Sequence, residues 1–79
     1  MNTLIETIDN LAATVKSIAS EVRDRVGYKW GCLVEDHGTY VLIRFPEKRS
    51  IRIPSIWIVT EHPIELRRKV EELVEATLR

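Results

Sequence analysis

The apolar residues of this chain change their spacing at Gly27, and that change constrains the fold more than any other feature. Before it, Leu4, Ile8, Leu11, Val15, Ile18 and Val22 recur at alternating intervals of four and three, a 3.5-residue seam. Ile5, Ala12, Ala19 and Val26 widen the seam into a stripe, and neither Pro nor Gly interrupts it before Gly27, a natural helix stop. The spacing predicts one long amphipathic helix over residues 3–26. From Tyr28 onward the period is two. Tyr28, Trp30, Cys32 and Val34 share one parity, and after "DHGT" the alternation resumes with Val41, Ile43 and Phe45.

A two-residue turn at His37–Gly38 sets Val34 opposite Val41, Cys32 opposite Ile43 and Trp30 opposite Phe45, with all the large apolar residues on one face. The loop "PEKRS" then places Ile51 opposite Phe45 and Ile53 opposite Ile43. Pro54 donates no ladder hydrogen bond, which suits an edge strand or a bulge. Beyond it Ile56, Trp57, Ile58 and Val59 are apolar on both parities, so the pattern does not choose which of them turn inward. His62 precedes Pro63, which fits the first position of a second helix with Leu66, Val70, Leu73, Val74 and Leu78 as its stripe. The predicted fold class is α+β, in the order α-β-β-β-α: a three-stranded antiparallel meander covered on one face by two helices. At 79 residues the chain is one domain, 1–79, with a thin core in which each large apolar residue matters.

That element order resembles, in topology, the double-stranded-RNA-binding domain. The family carries a Gly-Pro-x-His signature between its first two strands and a Lys-Lys-x-Ala-Lys start to its last helix. Here the first position reads "EDHGTY", with a His and a Gly but no Pro. The second reads "ELRRKVEEL", basic, without the Ala and acidic immediately afterwards. The resemblance covers the whole chain by element order, not by motif.

Few residues carry chemistry. Cys32 is the only cysteine, which excludes an intramolecular disulfide, and it falls on the inward parity of a strand. His37 sits at a hairpin tip and His62 at a helix entry. With one Cys they match no metal-ligand spacing, and no phosphate-cradling glycine loop, nucleophile elbow or paired-carboxylate motif occurs. A non-enzyme without cofactor or metal is therefore expected. The N-terminus lacks a basic n-region and the apolar run Ile56–Val59 is far short of a membrane span, so a cytoplasmic protein with no membrane partner is expected.

Two surfaces remain. In the expected register Arg44 faces Arg52 directly, a like-charge pair that calls for compensation, by Glu47 from the loop or by an external anion. Lys29, Lys48 and Arg49 extend that patch, and Arg67, Arg68 and Lys69 form a second cluster on the last helix, where Glu65, Glu71 and Glu72 at i,i+4 spacings offer it partners. Twelve Lys and Arg against twelve Asp and Glu leave no net charge to draw in a polyanion. The same outward sheet face carries Leu33, Tyr40 and Leu42, joined by Ile56 and Ile58 or by Trp57. An apolar centre with an arginine rim has the composition of a protein interface. The leading expectation is a small interaction module that docks a protein partner or pairs as a homodimer, through the outward sheet face or the first helix. The alternative is nucleic-acid binding through the basic patch on the second and third strands and the last helix.

Overall fold

The computed structural model describes the backbone of residues 3–79 and the side chains of residues 11–79. Helix α1 spans Thr3–Val26, the strands are β1 (Leu33–Asp36), β2 (Tyr40–Arg44) and β3 (Ile51–Pro54), and two helices follow, α2 (Trp57–Thr60) and α3 (Pro63–Leu78). The sheet is an antiparallel meander in the order β1-β2-β3, with α1 and α3 packed against one face. The α+β class and the meander are as expected. The one-turn helix α2 is an addition.

Helix α1 ends where the sequence provides a stop. Gly27 takes φ +84, and the amides of Gly27 and Tyr28 both donate to the Arg23 carbonyl, closing a Schellman-type cap. Leu11, Val15, Ile18, Ala19 and Val22 are all buried against the sheet and α3, so from Leu11 onward the stripe has no free apolar seam for a second chain. Leu4, Ile5 and Ile8 lie outside the described side chains. Helix α3 starts at Pro63, after His62, whose Nδ1 accepts from the Ile64 amide at 3.2 Å. Its buried stripe is Leu66, Val70, Val74 and Leu78. Leu73, expected in it, is exposed, because the four-residue repeat leaves it a third of a turn away. Glu21–Arg67, Arg25–Glu71 and Arg25–Glu75 ion pairs rise together in number, so α1 and α3 run in the same direction.

Both strand registers differ from expectation by two residues. Val34 pairs with Ile43 and Asp36 with Val41, while Ile51 pairs with Ile43 and Ile53 with Val41. In the first hairpin the turn is Gly38–Thr39, one residue later than expected. Gly38 takes φ +83 as the first central residue, its amide held by Asp36 Oδ1 at 2.9 Å, and His37 N–H donates to the Tyr40 carbonyl. This placement spares His37 a positive φ, and the Thr39 amide closes the turn onto the His37 carbonyl at 3.0 Å. In the second hairpin a turn closes from Lys48 N–H to the Phe45 carbonyl, and Phe45 leaves the ladder. A shift of two preserves each residue's face, so Val41, Ile43, Phe45, Ile51 and Ile53 still build the core.

Two further corrections follow. Trp30 precedes β1 in irregular chain and is exposed, not buried on the sheet. The Ile56–Val59 run is not strand: Ser55 ties back to the first hairpin, its amide to the Thr39 carbonyl and its hydroxyl to the Gly38 carbonyl at 2.7 Å, and the chain coils into α2. An apolar run of four is compatible with either structure, and Pro54 ends the ladder.

Candidate interaction surface

The outward face of the sheet is occupied by its own side chains. Leu42, at its centre, is only 8% exposed, flanked by its cross-strand partners Glu35 and Arg52. The His37 ring stacks on Tyr40 with centroids 4.9 Å apart, and the Arg52 guanidinium lies 4.9 Å from the centroid of the same ring. Glu35 accepts from His37 Nε2 at 3.0 Å and pairs with Arg44 Nε at 3.4 Å. The His37 hydrogen bond first, and the Arg44 charge after it, hold the Glu35 carboxyl below its usual range, against the opposing effect of partial desolvation. Arg44 and Arg52 do not face each other. Arg52 is opposite Leu42 and Arg44 opposite Leu33, so the expected like-charge pair is absent and needs no external anion. Of the expected apolar patch, Leu33 is exposed, Tyr40 half-buried and Leu42 covered.

Trp57 and Ile58 are not on this face either. Both sit on α2 and pack against the core, with the Lys69 ammonium 5.0 Å from the centre of the Trp57 ring. Turning those two inward turns their neighbours outward. Ile56 is 61% exposed and Val59 72%, three positions apart on one side of the helical turn, and Ile64, just inside α3, is 71% exposed. Val59 and Ile64 were not among the expected contacts. The signal for Ile64 was available: it lies two positions before Leu66, on the far side of α3 from the stripe.

The cations separate into two groups. On α3, Arg67 pairs with Glu21 and Glu71, Arg68 with Glu65 and Glu72 at 2.7 Å each, and Lys69 with Glu61 at 2.8 Å. Arg68 also lowers the Glu65 carboxyl from its usual range, through a hydrogen bond above all. Among the described residues Lys29, Lys48, Arg49 and Arg52 have no carboxylate within ion-pair distance. Lys48 and Arg49 follow a tight turn with Pro46 at its second position and Glu47 at φ 65 in its third, a place that normally asks for Gly or Asn. Tyr28 braces this turn. Its hydroxyl donates to the Pro46 carbonyl and its ring meets Phe45 edge-on at 5.8 Å.

Two hollows flank the turn. One, of about 530 Å³, opens between the start of β1 and residues 44–50; the other, of about 520 Å³, lies between the turn and Leu73, Ala76 and Thr77 of α3. Cys32 is half-buried, with its Sγ 3.9 Å from the Ser20 hydroxyl. Among the described residues no group of three His, Cys, Asp or Glu side chains could hold a metal ion, and no helix is long and apolar enough to cross a membrane.

Compared with family models, with curated proteins and with solved structures, the chain matches none.

Proposed function

We propose that this protein is a non-catalytic interaction module that pairs with a second copy of itself through the corner formed by α2 and the start of α3. The observation that carries the reading is the exposure of Ile56, Val59 and Ile64 within nine residues, while most other large aliphatic side chains among the described residues are taken into one core. Their neighbours on α3 form a rim of both signs. Lys69–Glu61, Arg68–Glu65 and Arg68–Glu72 supply both signs, as a self-complementary contact about a two-fold axis requires. The balance of twelve basic and twelve acidic residues adds no repulsion between copies, and it favours a second copy over a strongly charged partner.

Sedimentation equilibrium at tens of micromolar tests the reading. A dimer is expected for the native chain and a monomer for the Ile56→Asp, Val59→Asp double variant, whose substitutions fall on exposed positions outside the core. A native chain that sediments as a monomer throughout that range overturns the proposal, as does a double variant that still dimerises.

A further inference from the structure

We propose that the hollow between the start of β1 and the turn after β2 binds a small amphiphilic anion: a compact apolar body carrying a carboxylate, sulfonate or phosphate. The site is distinct from the α2 corner and does not depend on self-association. Its volume of about 530 Å³ falls in the range of small-molecule sites, and it is open to solvent on one side. Its lining is mixed: Cys32, Leu33, Phe45 and Pro46 supply apolar surface, while Arg44, Lys48 and the Ser50 hydroxyl supply donors and positive charge.

Three features make this more than a crevice between side chains. Lys48 has no carboxylate partner among the described residues, and Arg44 is held only by Glu35 at 3.4 Å through Nε, so its terminal nitrogens remain available. The backbone is set to place Lys48 here: Glu47 accepts a left-handed φ of 65 at the position before it. Sparsely populated backbone of this kind gathers at ligand-binding sites. Finally, Glu47 itself lines the neighbouring hollow and not this one, so the same turn that brings a cation in keeps the adjacent carboxylate out. Among the described residues Arg44 has one carboxylate partner, Glu35, which it shares with His37. A guanidinium and an ammonium in one hollow with apolar lining select a ligand with a charged head and an apolar body.

Titration of the full-length, isotope-labelled chain with 8-anilinonaphthalene-1-sulfonate, followed by amide chemical shifts, tests the assignment. Saturable shifts at Gly31, Leu33, Lys48 and Ser50 are expected, with affinity at least tenfold weaker in the Arg44→Gln, Lys48→Gln double variant and unchanged in Arg67→Gln. Both substituted positions are exposed, and retained dispersion of the variant's spectrum establishes that it is folded. The uncharged analogue N-phenyl-1-naphthylamine is expected to bind at least tenfold more weakly. Shifts confined to residues 56–64, equal affinity in the double variant, or equal affinity for the uncharged analogue would each overturn the proposal.

Discussion

Glu47 and Glu35 each show what one residue contributes when its surroundings are specific. Glu47 occupies φ 65 with no side-chain hydrogen bond of its own among the described residues, and a non-glycine residue there costs on the order of 1 kcal/mol or more. Glu47→Gly is accordingly expected to raise unfolding stability by about 0.5–1 kcal/mol, measured by urea denaturation. Glu35 gives a pH dependence whose sign is determined. Its folded-state pKa lies below the ordinary value of 4.5, chiefly through the His37 hydrogen bond and then through Arg44. A depressed carboxylate contributes stability that is full above the unfolded-state pKa and disappears as pH falls through the folded-state value. The difference in stability between the native chain and Glu35→Gln is therefore expected to be constant at pH 6–7 and to shrink below pH 4.5. A difference that stays constant down to pH 3 would show that the hydrogen bond and ion pair are not formed in solution. The effect is small, since the carboxylate is partly solvated and exposed pairs are screened.

At the scale of elements, α3 separates packing from pattern. Leu66 and Leu73 look equivalent in the apolar sequence pattern, yet Leu66 is buried and Leu73 is exposed. Leu66→Ala is expected to cost about 2–4 kcal/mol, through lost burial and the cavity left behind, while Leu73→Ala costs less than about 1 kcal/mol. Thermal or urea unfolding of the two variants checks the contrast. With α1 and α3 side by side on the sheet, α3 offers one strip to the core, the i,i+4 row through Leu66, Val70, Val74 and Leu78, and Leu73 falls beside it. The element boundaries come from local chemistry instead. Gly27 ends α1, the Asp36–Gly38 hydrogen bond sets the first hairpin, and His62 with Pro63 opens α3.

For the molecule as a whole, charge pairing bears on the two proposed classes of partner. The last-helix cluster Arg67, Arg68 and Lys69 is spent on Glu21, Glu61, Glu65, Glu71 and Glu72. What remains free of carboxylates on the middle of the chain is Lys29, Lys48, Arg49 and Arg52, and Arg52 lies over Tyr40. Nucleic-acid surfaces draw most of their affinity from many phosphate contacts, which this inventory and a zero net charge do not favour. Self-association through the α2 corner carries its own signature at this scale. The unfolding midpoint of the native chain should rise with protein concentration, while that of the Ile56→Asp, Val59→Asp variant should not.

Much of the architecture was legible before any coordinates. The change of apolar period at Gly27 specified a helix followed by strands, and parity identified the buried face, even-numbered on β1 and odd-numbered on β2 and β3. Register did not follow from parity. A shift of two leaves every side chain on its face, and the choice rested on which turn Gly38 and Glu47 could form. That choice separated Arg44 from Arg52 and removed the need for compensation that their pairing had raised. The side-chain directions after Pro54 also needed the tertiary structure, since four consecutive apolar residues satisfy a helix or a strand equally. Only the anchoring of Ser55 to the first hairpin turned Trp57 and Ile58 inward and left Ile56 and Val59 outside. Local spacing is a property of the chain alone, whereas register and the exposure of an apolar residue depend on what the rest of the fold places beside it.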